Sequence, residues 1–198
     1  MNDTAKSGIS YANSPTGYGI VSKTFHWLIA ALVIVQCIMG VYVHGLPVSL
    51  ERLIVLARHK SIGMTIFVLM LPRLAWILYS PPPKMPPSNY YNLHSLGARI
   101  GHSLLYALLL LLPVVGWLSS SASNLTVSWF GLVSLPNLIR PDRNVAHRLV
   151  FAHQTMAWML IALITIHILA ALWHHLIAKD AVLIRMLPFK NPNHTKGD

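Results

Sequence analysis

The chain has 198 residues, of which 55% are hydrophobic and only 10% charged, and its mean hydropathy is +0.56. Soluble domains carry roughly 25% charged residues, so this composition excludes a globular protein with a surface made for water. Fifteen Lys and Arg against five acids give a net charge of +10, yet the bases fall between apolar blocks, where lipid headgroups attract them, and form no basic stripe for nucleic acid.

In chain order, residues 1–22 read as a polar N-terminal tail without a cleavable signal pattern. Four apolar blocks follow, each long enough to cross a bilayer, which takes about 20 helical residues. They run from about Phe25 to Val43, Leu53 to Tyr79, Leu96 to Leu118 and Leu149 to Ile177. Lys60 lies near the start of the second and Arg73 near its end. The proline run Pro81-Pro82-Pro83-Lys84-Met85-Pro86-Pro87 stops the second helix. A longer polar link from Ser119 to about Ala146 precedes the fourth block. No internal repeat divides the chain. The expected fold is all-α, an integral membrane four-helix bundle over residues 23–190, with 191–198 as a C-terminal tail. The single cysteine, Cys37, excludes an internal disulfide and a cysteine-ligated cluster, and reads as a small apolar residue of the first span.

Orientation follows from the Lys and Arg positions. Nine share the side of the two termini: Lys6, Lys23, Arg73, Lys84, Arg99, Lys179, Arg185, Lys190 and Lys196. Six lie on the other: Arg52, Arg58, Lys60, Arg140, Arg143 and Arg148. The excess places both termini in the cytoplasm.

Eleven histidines in so apolar a chain ask for a function, because an ionisable group inside hydrocarbon is costly. His153 and His167 are fourteen residues apart in the fourth span, about 21 Å along a helix axis and nearly on one face at about 100° per residue. They are placed to ligate two cofactors stacked across the bilayer, and each haem iron would take its second axial ligand from another helix. His26 opens the first span on the cytoplasmic side and His59 opens the second on the opposite side. Depth therefore pairs His26 with His167, and His59 with His153. Two imidazoles fill both axial positions, which suits electron transfer. Gly63, one turn after His59, and Gly40 would let a porphyrin approach the backbone.

Other roles compete for these residues. Intramembrane histidines also bond neighbouring helices, and small residues mediate ordinary helix packing. A zinc site fits less well, since no carboxylate or thiolate accompanies the histidines.

Several short pieces of the chain carry a resemblance. They are Phe25-His26-Trp27, His59 with Gly63 and Arg73, Gly101-His102, Pro113-Val114-Val115-Gly116, His153, His167, His174-His175, Lys179-Asp180 and Arg185-Met186-Leu187-Pro188. In this order and spacing, from about Lys23 to Lys190, the sequence resembles the bacterial diheme cytochrome b561 family, especially its superoxide oxidase members. The resemblance implies a multi-pass protein of the bacterial inner membrane. It also implies two non-covalent haems b, with axial ligands at His26, His59, His153 and His167. The chain has no Cys-x-x-Cys-His attachment motif.

His102 opens the third span on the cytoplasmic side, and His174 lies seven residues past His167, nearly on its face, with His175 adjacent. A quinone site needs an apolar slot and a protonatable group near neutrality, which histidine supplies. Alternatively these side chains reach headgroups or cap helix ends. His44, His94, His147 and His194 fall in links or the tail and receive no chemistry. On the opposite side only Glu51 and Asp142 balance the six bases. Such a rim, with Arg58, Arg143 and Arg148 as its steering members, would draw in a small anion or anchor to phosphate headgroups. The resemblance implies that the anion is superoxide, oxidised to dioxygen while ubiquinone is reduced. Related diheme cytochromes instead relay electrons for a separate dehydrogenase or periplasmic cytochrome, and that reading stays open.

Overall fold

A computed structural model of the chain describes residues 10–83 and 91–188, with residues 91–95 described by backbone alone. Lys6, Lys84, Lys190, Lys196, His194 and the 191–198 segment lie outside the described residues, as does the side chain of His94. Four long helices form the body: α1 (Ile20–Gly45), α2 (Leu50–Tyr79), α3 (Tyr91–Ala122) and α4 (Arg143–Leu176). All four are long and apolar enough to cross a membrane. Two short strands, β1 (Val127–Trp129) and β2 (Val133–Leu135), and a five-residue helix, α5 (Val182–Met186), complete the elements.

Side-chain caps start two of the helices. The Ser49 hydroxyl accepts from the Arg52 amide at 3.2 Å to cap α2. The Asp142 carboxylate accepts from the amides of Asn144 and Val145 at 2.8 and 3.0 Å to cap α4. The helix α2 ends at Tyr79, ahead of Pro81, Pro82 and Pro83. Pro72 and Pro113 sit inside α2 and α3, which membrane helices tolerate.

The interior is a plug of aliphatic side chains at mid-height. Ile29 and Val33 of α1, Ile66 and Met70 of α2, Leu108 and Leu112 of α3 and Leu160 of α4 form it. On every helix these residues fall between the histidine at one end and the polar or glycine position at the other. Large apolar side chains such as Ile38, Val68, Ile166 and Leu169 stand exposed, as a lipid-facing surface requires.

Two features depart from the sequence expectations. Residues 10–19, read from sequence as part of a polar tail, are anchored to the end of α2 although most of 10–16 are exposed, and α1 begins at Ile20. The Asn13 amide donates to the Ser80 hydroxyl at 2.8 Å and its side-chain nitrogen to the Ser80 carbonyl at 2.7 Å. Gly19 is required there, because a Cβ would lie 2.3 Å from the Tyr11 carbonyl oxygen. Trp27 Nε1 donates to the Met186 carbonyl at 2.8 Å, so the N-terminal segment, the end of α2 and α5 share one end of the bundle.

The link between α3 and α4 is the second departure, since it holds an antiparallel hairpin with Val127 opposite Leu135. Three residues, Phe130, Gly131 and Leu132, join the strands; the Leu132 amide donates to the Trp129 carbonyl at 3.0 Å, closing a turn whose central residues Phe130 and Gly131 have φ of 52° and 76°. The Ser61 hydroxyl of α2 accepts from the Phe130 amide at 3.0 Å and lies 3.1 Å from the Ser128 carbonyl. Trp129 Nε1 donates to the Thr65 hydroxyl at 3.1 Å. The hairpin thereby closes the opposite end of the bundle.

Candidate functional site: two imidazole pairs

The helices bring the four singled-out histidines together in twos. His26 and His167 have ring centres 6.3 Å apart at the α5 end, and His59 and His153 have ring centres 6.3 Å apart at the hairpin end. With a metal–imidazole bond of about 2 Å and about 1.1 Å from ring nitrogen to ring centre, two imidazoles on one metal ion stand about 6 Å apart. Both pairs meet that requirement. Among the described residues no three His, Cys, Asp or Glu side chains converge as a metal-ion cluster would need.

At the hairpin end the pair opens on a cavity of about 350 Å³, within the range of ligand pockets. His153 donates from Nδ1 to the Leu112 carbonyl at 3.1 Å, which leaves Nε2 as the ring's other nitrogen. A Cβ at Gly116 would stand 3.1 Å from His153 Cε1, and one at Gly40 would stand 3.2 Å from His59 Cε1. Both glycines make room for a ring. Gly63 makes room for a different group, since a Cβ there would lie 3.0 Å from Gln36 Nε2.

Gln36 is the functional candidate that sequence reasoning missed. Its Nε2 lies 3.2 Å from His59 Nε2 and donates to the His59 carbonyl at 2.9 Å. His59 Nδ1 and Gln36 Oε1 are buried with no hydrogen-bond partner, which is costly unless something else meets them. The available signal was the one carboxamide in the apolar run from Leu28 to Val43.

The structure redistributes the cationic rim. Arg52 and Lys60 line the hairpin-end cavity together with His59 and His153. Arg58, Arg143 and Arg148 are exposed, and none of the three lines that cavity; Arg143 lines a separate hollow beside Asp142 and His147. His44, given no role from sequence, lines the cavity and takes a contact from Gln154 Nε2 at 3.3 Å.

At the α5 end His102 stands beside the pair, its ring centre 5.4 Å from that of His167. Its Nδ1 donates to the Ala98 carbonyl at 2.7 Å. Arg73 Nη2 approaches His26 Nδ1 at 3.3 Å, and the guanidinium lies over the Tyr106 ring at 5.4 Å. Tyr18, just ahead of α1, has its phenol pushed above the usual value by burial and by Tyr106, against the opposing pull of Arg185 and Arg73, so it stays protonated. His174 is engaged by a carboxylate: its Nδ1 lies 2.5 Å from Asp180 Oδ2, while Oδ1 accepts from the Val182 amide at 2.9 Å.

The sequence is similar to those of known proteins. The model of the prokaryotic cytochrome b561 family matches residues 17–189. A cytochrome b561 homolog 2 of Escherichia coli K12 is 35% identical over 185 residues, covering 90% of this chain and 95% of its own. A probable superoxide oxidase of Yersinia pestis is 31% identical over 173 residues, covering 87% of this chain and 97% of its own. A cytochrome b561 homolog 1 of Escherichia coli K12 is 33% identical over 133 residues, covering 66% of this chain and 73% of its own.

Proposed function

Because the chain belongs to the prokaryotic cytochrome b561 family, a family of haem b electron-transfer proteins of the bacterial inner membrane, we propose that it holds two haems b and oxidises superoxide to dioxygen while reducing ubiquinone. His59 and His153 hold the haem at the hairpin end, and His26 and His167 hold the one at the α5 end. The observation that carries this reading is the equal 6.3 Å spacing of the two imidazole pairs, one at each end of the bundle. The donor set fits: imidazole nitrogens at both ends, with glycines against the two hairpin-end rings and a buried orphan nitrogen on His59. When bound, each haem would supply reversible one-electron transfer.

The protein's own residues do the rest. With the termini in the cytoplasm, the hairpin end faces outward, where an anion that cannot cross hydrocarbon arrives. Arg52 and Lys60 offer it positive charge at the cavity, and Arg58, Arg143 and Arg148 steer it there from the exposed rim. Two superoxide ions each give up one electron and leave as dioxygen. Ubiquinone takes the two electrons and two cytoplasmic protons at the α5 end, to leave as the quinol. His102 and His174 supply those protons, with Asp180 orienting the His174 ring, as a carboxylate does for a histidine acid–base.

The purified protein tests the proposal in two stages. Pyridine haemochrome analysis should give two haems b per chain. Superoxide mixed in a stopped-flow cell should then reduce them, with added ubiquinone restoring the oxidised spectrum. A haem-replete protein inert to superoxide would instead be the relay subunit of another redox protein.

A further inference from the structure

Arg73 is a half-buried guanidinium on α2, six residues and about 9 Å short of the helix end. Among the described residues it makes no ion pair. The acids among those residues are occupied elsewhere: Glu51 by the Tyr42 hydroxyl, Asp142 by the start of α4 and Asp180 by His174. A permanent cation set into a membrane bundle costs several kcal/mol unless an anion meets it. Arginine also carries five N–H donors in a planar fork. Here Nη2 stands 3.3 Å from His26 Nδ1, and the flat face is spent on Tyr106. The in-plane edge of the fork is what remains, and that edge is shaped to grip a carboxylate with two parallel hydrogen bonds.

We infer that Arg73 binds a carboxylate of the haem held by His26 and His167. Haem b bears two propionate carboxylates on one edge of the porphyrin, and the contact between Arg73 and His26 puts the guanidinium beside that porphyrin's axial ligand. The inference rests on the diheme reading above and adds the anion site that the bundle's own acids do not fill. Arg73 thus has two effects on one cofactor. It fixes the porphyrin's rotation about the His26–His167 axis, and it offsets negative charge next to an iron that gains an electron.

The test uses the holoprotein. Cells fed 5-aminolevulinate carrying 13C at the carboxyl produce haem with labelled propionates, and redox-difference infrared spectra then report those carboxylates. The haem concerned is identified by its loss in His167→Ala. In Arg73→Gln its labelled carboxylate band should shift and its potential should fall, because the reduced form loses a neutralising charge. Arg73→Lys keeps the charge without the fork, so the band should shift while the potential falls less. Arg99→Gln, an exposed change on α3, should alter neither. If Arg73→Gln loses that haem altogether, Arg73→Lys carries the test through its band. An unmoved band and an unchanged potential would overturn the assignment. So would release of a bound phospholipid, seen by phosphorus NMR, with no change in the labelled band. A wild-type protein that lacks haem would sink the diheme reading instead, and the haemochrome spectrum reads this before any variant is made.

Discussion

Gln36 on α1 reaches across to His59 on α2, donating to its backbone carbonyl at 2.9 Å while lying 3.2 Å from its ring nitrogen. The amide thereby fixes both the ring and the helix segment that carries it. Groups that orient a metal-binding histidine typically change affinity about 10- to 100-fold when removed. Gln36→Leu should therefore weaken retention of the hairpin-end haem by that factor and shift its midpoint potential, leaving the α5-end haem unmoved. Redox titration of the purified variant, with haem counted before and after washing, measures both.

The pairing itself predicts four phenotypes. His153→Ala and His59→Ala should each reduce the haem count from two to one by removing the hairpin-end cofactor. His167→Ala and His26→Ala should remove the other. Haemochrome analysis gives the count, and redox titration of each variant against the wild type shows which haem remains. Loss of both haems from a folded single variant would mean that the two sites are not independent.

Gly116 gives a steric prediction. A Cβ there would lie 3.1 Å from His153 Cε1 and 3.3 Å from Nδ1, close enough to displace the ring by a few tenths of an ångström. Gly116→Val adds further atoms against the same ring, so it should lose the hairpin-end haem while Gly97→Val, where a Cβ meets nothing within 4 Å, loses none. The comparison separates crowding of His153 from any general effect of placing valine in α3.

The charge arrangement predicts a salt dependence. The screening length falls from about 10 Å at 0.1 M to about 3 Å at 1 M, so reduction by superoxide should slow as ionic strength rises. Because Arg52 and Lys60 line the cavity whereas Arg58, Arg143 and Arg148 stand on the exposed rim, Lys60→Gln should slow it more than Arg143→Gln or Arg148→Gln. Stopped-flow rates at several salt concentrations decide the order. A rate indifferent to salt would remove charge steering from the mechanism.

Ser61 predicts a change in stability. Its nearly inaccessible hydroxyl meets the Phe130 amide and the Ser128 and Ala57 carbonyls. Ser61→Ala leaves the hairpin amide without a partner at the edge of the bundle, a loss of about 1–3 kcal/mol. A lower thermal midpoint with unchanged haem content, followed by circular dichroism in detergent, is the expected outcome.

The four spans were legible in the sequence because hydrocarbon demands continuous apolar runs, and each observed helix covers its expected span, the fourth to within one residue at Leu176. The histidine pairs were legible because helix geometry converts spacing into depth. What escaped was whatever depends on contacts between distant segments. The hairpin is stabilised by Ser61 and Thr65, more than sixty residues upstream, and nothing within Val127–Leu135 announces those partners. The fold of residues 10–19 depends on Ser80 in the same way. Charge near a site is only partly legible for a related reason: the sequence shows on which side of the membrane an arginine lies, whereas wall or rim depends on helix rotation. Arg52 and Lys60 face the cavity, and Arg58 between them in sequence does not.

The distribution of the pairs over the helices also constrains how the protein is made. Both pairs close on α4, the last of the long helices, while α1 and α2 each contribute one imidazole. Chains leave the ribosome N-terminal end first, at about 5–20 residues per second. A nascent chain that has inserted α1, α2 and α3 therefore carries one half of each pair and neither partner. If the pairs hold haem as proposed, cofactor capture waits until α4 has entered the membrane, and its arrival completes both pairs within a single insertion event. On the diheme reading haem would meet a finished bundle, and a translation product cut short before His153 brings neither pair together.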